Sequence, residues 1–252
     1  MIDLTDKVIL VTGGSRGIGA AIVETLAAAG GDVILHYGKS RARAEAVAAG
    51  IGDGRCHLVA ADLEDGDALP GLWEQALAWK GRIDVLVNNA GVYLASGIDN
   101  DFAAWSAVWA RTLNINLVAA AHLCREALHH FRQRDGGIIV NIASRAAFRG
   151  DAPDYTHYAA SKAGMVALTR TIARGFGAEG VTAFAVAPGF VRTEMADAFF
   201  AVHGEAPILS EIPLGEIAGP QDVANVVAFL ASGLARQATG TTIDVNGASY
   251  VR

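Results

Sequence analysis

The chain has 252 residues, 52% of them hydrophobic and 18% charged, and a mean hydropathy of +0.31, a composition that buries a large core and excludes disorder. Its formal net charge of −6 argues against a nucleic-acid or anionic-membrane partner. No apolar run approaches the ~18 residues of a spanning helix, and the opening residues lack the apolar stretch of a signal peptide. The two cysteines, Cys56 and Cys124, have no paired spacing, so they read as reduced thiols of a cytoplasmic protein without a metal site.

Along the chain, short β-rich apolar runs alternate with helical patterns. Strands are expected at 7–12, 33–37, 56–60, 83–87, 137–142, 181–187 and 242–245. Helices are expected at 18–29, 41–49, 65–79, 102–132, 157–177, 193–201 and 221–231. The strand runs do not alternate polar with apolar, which marks strands buried on both faces. This order predicts an α/β fold, a doubly wound parallel sheet of Rossmann type with helices on both faces. No linker divides residues 1–252, so one domain is expected. Residues 190–219 are the least regular stretch and read as a substrate lid.

Thr12-Gly-Gly-Ser-Arg-Gly-Ile-Gly19 lies between the first strand and the first helix. Glycines at 13, 17 and 19 let backbone turn tightly and approach a pyrophosphate, which the opening helix N–H groups favour. Gly-rich turns also serve as plain turns. At the end of the second strand, an Asp or Glu would hold a ribose diol and repel a 2′-phosphate. Tyr37 stands there instead, with Arg16, Lys39, Arg41 and Arg43 nearby. This local positive charge favours NADP(H) over NAD(H), although Arg41 and Arg43 also fit a solvated helix start.

Tyr158 and Lys162 are four residues apart, hence on one face of a helix. A phenol titrates near 10; a fixed ammonium one turn away favours its phenolate. Moving it ~3 units takes about 4 kcal/mol, which calls for a partly desolvated site. Such a Tyr can give or take the proton of a carbonyl or alcohol oxygen. Ser144 follows the fifth strand at the carboxyl edge, where ligands bind in this fold, and its hydroxyl can hydrogen-bond the same oxygen. Asn116 sits inside a long helix, against its propensity; the plain alternative is an amide facing solvent.

With these motifs the chain resembles the short-chain dehydrogenase/reductase family, in its branch of about 250 residues. The resemblance spans the chain: the 12–19 turn, Asp62-Leu63, Asn88-Asn-Ala-Gly91, Asn116, Ser144, Tyr158 with Lys162, Pro188-Gly189 with Thr193, and Asp244-Val-Asn-Gly247. It implies hydride transfer between NADP(H) and a small-molecule ketone or secondary alcohol. Tyr158 would be the acid/base, with Lys162 binding the nicotinamide ribose and lowering the Tyr pKa. Ser144 would orient the carbonyl; Asn116 would bend its helix and hold a relay water. Gly13, Ser15, Arg16, Gly17, Ile18 and Gly19 would meet the phosphates, and Tyr37 and Lys39 would lie beside the adenosine. Asp62 and Leu63 would contact adenine, and Asn89, Ala90 and Gly91 would line the adenosine ribose side. Pro188, Gly189, Val191 and Thr193 would meet the carboxamide.

The common member of this type is the 3-oxoacyl-carrier-protein reductase. Arg132 and Arg134 could serve carrier docking, but Glu179 stands where those reductases carry Arg. Phe184, where Asn is usual, reads as core. Arg145 and Arg149, between Ser144 and Tyr158, could recognise a carboxylate or phosphate, or pair with Asp151 or Asp154. His157 is a weaker proton carrier than the Tyr-Lys-Ser-Asn set. Met195, Phe199 and Phe200 suggest an apolar pocket wall or core. Trp105, Trp109, Met165, Leu168, Ile172 and Phe176 lie on helices that pair between subunits in similar proteins, and the resemblance implies a homotetramer. A cofactor-sensing binding protein without turnover is the alternative of another class, disfavoured by the intact Tyr158 and Lys162.

Overall fold

The computed structural model describes residues 2–52, 54–194, 196–197, 200 and 204–252. The expected alternation folds into one seven-stranded parallel sheet, a Rossmann-like single domain. Its strands are β1 (Val8–Val11), β2 (Asp32–Tyr37), β3 (Cys56–Ala60), β4 (Val85–Asn88), β5 (Gly137–Ile142), β6 (Val181–Pro188) and β7 (Thr242–Val245). They lie in the order β3-β2-β1-β4-β5-β6-β7. The order reverses direction between β1 and β4, and a crevice opens there at the carboxyl ends of the strands. β1, β4 and β6 are buried along their whole length, which is why their sequences are unbroken apolar runs.

Helix α1 (Gly17–Ala28) packs its Ile22, Val23 and Leu26 face into one core layer together with α9 (Pro220–Ala231). The other layer holds α3 (Ala68–Lys80), α5 (Ala119–Arg132) and α7 (Thr156–Phe176). Phe184 is buried in the first layer, as its core reading required. Helix α2 (Arg41–Ala49) has the expected bounds. α3 begins at Ala68 rather than residue 65, because Asp65 turns the chain first: its side chain accepts from Asp67 N–H at 3.0 Å.

The expected helix 102–132 is interrupted. α4 (Phe102–Leu113) and α5 flank a π segment, Asn114–Val118. Beyond β6 lie the short α8 (Ala206–Ser210) and a small apolar cluster of Ile208, Ile212 and Ile217, against which Phe190 and Phe200 pack. Met195 and Phe199, read as pocket wall, and part of the helix expected at 193–201 lie outside the described residues.

Met165 and Ile172, expected on a face between subunits, are buried within the chain, and Leu168 and Phe176 pack on the same layer. The helix turns that face toward the sheet because it is its most apolar one. Ile98 and Phe102 are among the exposed large apolar side chains, 83% and 80% exposed, and Phe102 stacks on Trp105.

Candidate active site

The glycine turn follows β1 directly. Gly13 has φ +66°, and a Cβ at Gly19 would lie 2.1 Å from the Gly13 carbonyl oxygen, so backbone crosses backbone here without room for side chains. Asn89 fixes the turn, donating from Nδ2 to the carbonyls of Thr12 (2.9 Å) and Gly13 (3.2 Å). His36 fixes it from β2: Gly13 N–H donates to His36 Nδ1 at 3.2 Å, and Nε2 donates to the Ala61 carbonyl at 3.1 Å. Burial pulls the His36 pKa down to about 4, which keeps the ring neutral with Nδ1 as acceptor. No motif marks His36, because nothing in its spacing points to a partner 23 residues from it in the turn. Helix α1 has no side-chain cap, so its first N–H groups are open to an anion.

A cleft of about 1170 Å³ runs from this turn over the crevice. Gly13, Ser15, Arg16, Gly17, Ile18 and Gly19 line one end, with Lys39, Asp62 and Leu63 beside them. Asn89, Ala90 and Gly91 lie at the middle; Ser144, Tyr158 and Lys162 follow, then Pro188, Gly189, Val191 and Thr193 on the other wall. The cleft's shape and open helix terminus fit a dinucleotide.

Tyr37, expected beside the adenosine, is instead buried in the α1 layer of the core and does not line the cleft, whereas its neighbour His36 does. Side chains alternate along a strand, and both faces of β2 are covered, so the sequence left the phase open. The basic cluster also divides. Arg41 pairs with Glu45 (2.8 Å) and Arg43 with Glu194 (2.7 Å), the plain surface roles they also fitted. Arg16 keeps its place on the cleft, 3.7 Å from Glu194.

Asn116 is buried, not facing solvent. The π segment adds a residue to its turn, and the amide crosses to the loop after β4. Oδ1 accepts from Val92 N–H at 2.8 Å; Nδ2 donates to the Val92 carbonyl at 3.0 Å and to Ser161 Oγ at 3.2 Å. Asn116 thus stands behind the cleft wall: a Cβ on Gly91 would come 3.3 Å from its Oδ1 and 3.5 Å from Lys162 Nζ.

Tyr158 and Lys162 share a face of α7, with Nζ 5.8 Å from the Tyr158 ring centroid. Nζ donates to the Ile142 carbonyl at 2.8 Å. The electrostatics reverse the expected sign for the tyrosine. Burial pushes Tyr158 up to about 12, with the Ser144 hydroxyl opposing in part; burial also pulls Lys162 down to about 8. Desolvation is the largest cause of both shifts. Tyr93 stands edge-on to Tyr158 (centroids 4.7 Å) and stacks flat on Tyr155 at 3.8 Å. His157 is buried, bonded through Nε2 to the Leu94 carbonyl at 2.8 Å and packed near Trp109; it does not line the cleft.

Arg145 and Arg149 pair with Glu211, at 3.5 and 2.8 Å, rather than with Asp151 or Asp154. At the far end of the sheet, Arg132 is paired with Glu179 and Arg134 lies 3.9 Å from Asp84.

Sheet order, glycine turn and cleft together define a dinucleotide-binding α/β protein with a Tyr/Lys pair at the crevice. The family model described as Enoyl-(Acyl carrier protein) reductase matches residues 13–248. The chain belongs to the short-chain dehydrogenase/reductase family, NAD(P)-dependent oxidoreductases acting on CH–OH groups. It is 40% identical over 248 residues to Nodulation protein G of Rhizobium sp. (strain N33), covering 98% of each chain. It is 38% identical over 249 residues to the 3-oxoacyl-(acyl-carrier-protein) reductase FabG of Haemophilus influenzae, covering 97% of this chain and 98% of that one. Among solved structures, a dehydrogenase/reductase from Sinorhizobium meliloti 1021 superposes with a TM-score of 0.91 at 35% identity, over 99% of this chain and 97% of that one.

Proposed function

We propose that this protein is an NADP(H)-dependent reductase of a small-molecule ketone, with Tyr158 as acid/base. The observation that carries it is the meeting, in one cleft, of the uncapped glycine turn with Tyr158, Lys162 and Ser144. A nicotinamide cofactor held in the cleft would supply the hydride chemistry that ketone reduction needs. Tyr158, held neutral by burial, gives its proton to the carbonyl oxygen as the C–O π bond breaks. Ser144 donates to that oxygen and fixes its position. Lys162 would hold the nicotinamide ribose. Asn116 holds Val92 and, behind it, the shape of the wall. Ser15 and Gly17 to Gly19 would offer N–H groups to the pyrophosphate, and Asp62 and Leu63 would border the adenine. Arg16 and Lys39 favour a 2′-phosphate, since β2 ends without an acid to repel it. Residues 190–219 act as the lid, and the protein works in the cytoplasm as a homotetramer.

The test is a panel of ketones followed at the absorbance of the reduced nicotinamide, with NADPH and NADH in parallel. NADPH should give the higher kcat/KM, and Tyr158→Phe should lower kcat by about 10²–10⁴-fold; full turnover in that variant sinks the assignment of Tyr158. The printed name of the FabG relative favours a second reading, reduction of a carrier-bound 3-oxoacyl group. Against it, Glu179 neutralises Arg132 at the expected docking surface. An acyl-carrier substrate in the same panel separates the two readings.

A further inference from the structure

Beyond Ser144 the cleft ends at a pair of guanidinium groups that the proton-transfer set does not use. Arg145 follows Ser144 directly, and its N–H donates to the Pro188 carbonyl at 2.9 Å, pinning it where β5 and β6 end. Its side chain is buried, the residue being 7% exposed, and its guanidinium lies over the Phe190 ring with Cζ 4.9 Å from the centroid. Nη2 is 3.5 Å from Glu211 Oε2, whereas Nη1 is buried with no hydrogen-bond partner among the described residues. Arg149 donates from Nη1 to the same Glu211 oxygen at 2.8 Å. All these residues line the cleft.

A buried guanidinium N–H that has lost water without gaining an acceptor is unfavourable. Asp151, the other acid at this end, does not supply the acceptor. It takes the Tyr93 hydroxyl at 3.2 Å and the Ala152 N–H at 2.8 Å, and it pairs with neither arginine among the described residues. Glu211 comes from the opposite wall, one residue beyond α8, and it satisfies Arg149 better than Arg145. Its side chain is 47% exposed, so it can swing out to water. A guanidinium fork matches a carboxylate bidentately, and Glu211 already marks where one sits.

We propose that Arg145, assisted by Arg149, is the anion subsite of the substrate pocket, and that the substrate is a short oxo acid whose free carboxylate displaces Glu211. The proposal rests on the ketone-reductase reading and names its substrate class. Ser144, Tyr158 and Arg145 line the same cleft, so one small molecule can present a carbonyl to Ser144 and Tyr158 and a carboxylate to Arg145. A carrier-bound thioester has no free carboxylate to offer this site.

The experiment compares C4–C6 oxo acids with their methyl esters, using NADPH and the whole chain. The wild type should prefer acid to ester at least about ten-fold in kcat/KM, a factor that one charge-assisted contact supplies. In Arg145→Gln the preference should collapse, through KM rather than kcat. Glu211→Gln, at a half-exposed position, should lower KM for the acids several-fold. Equal rates for acid and ester in the wild type, or a preference that survives Arg145→Gln with no effect of Glu211→Gln, overturns the proposal. Turnover of esters but not of acids also overturns it while leaving the reductase reading intact. If no compound is turned over, the reductase reading fails separately. Calorimetry of acid against ester on the protein–NADPH complex then decides the subsite, and equal binding of the two refutes it.

Discussion

Lys162 shows what burying an ammonium group costs. Its ammonium is buried, with the Ile142 carbonyl and the Met165 sulfur as its neighbours, and burial lowers its pKa from 10.5 to about 8. The unfolded chain therefore holds more protons than the folded one between those two values, and this group's contribution to stability rises with pH across that window. Below about pH 8 the cost is fully present, about 3 kcal/mol. Lys162→Met should be the more stable protein near neutrality. Urea unfolding at about pH 7 and about pH 9.5 should move the difference toward the wild type by about 2 kcal/mol; a pH-independent difference refutes it. Tyr158, raised by burial, works with the opposite sign: its stabilisation is present below 10 and lost as pH climbs toward about 12.

At the scale of elements, two turns below the sheet are locked together. Gly136 precedes β5 with φ +95°, and a Cβ there would lie 2.2 Å from the Gly180 carbonyl oxygen, in the turn before β6. Gly136→Ala should cost about 2–4 kcal/mol through left-handed strain and overpacking. Cofactor affinity should be retained, because the cleft is at the other end of the strands; a Tm within error of the wild type would contradict the clash. These strands were legible in the sequence because burial on both faces leaves unbroken apolar runs. The π segment was not, since 102–132 keeps helical composition throughout and only the pull of Val92 and Ser161 on Asn116 marks the break. The Tyr158–Lys162 pair and the glycine turn were legible because the chemistry proposed for them requires fixed spacings. Glu194 and Glu211 were not, because they reach the site from the far wall, 151 residues from Arg43 and 62 from Arg149. No local pattern records such a pairing, and the choice between His36 and Tyr37 depended on strand phase alone.

At the scale of the molecule, the exposed Ile98 and Phe102 beside Trp105 form the apolar surface that the proposed tetramer would cover. Light scattering should give four times the chain mass of 26.1 kDa. Phe102→Glu, which puts a charge into that surface, should shift the protein to smaller species. A wild-type monomer at micromolar concentration would overturn the assembly.

The packing of α1 against α9 has a consequence for how the protein is made. Thr25 on α1 accepts a hydrogen bond from Gln221, 196 residues later, at 2.8 Å. The apolar stripe of Ile22, Val23 and Leu26 thus emerges early from the ribosome and can pack on β1 and β2, but its cover is completed only after α9 has been synthesised. β1 likewise waits for β4 before both its edges are paired. Until then a growing chain carries an uncovered stripe and an open strand edge, the surfaces from which nascent α/β proteins aggregate. A chain terminated before residue 220 would keep the whole glycine turn and the Tyr158–Lys162 pair, yet it would leave the α9 side of the stripe uncovered and lean on chaperones to stay in solution.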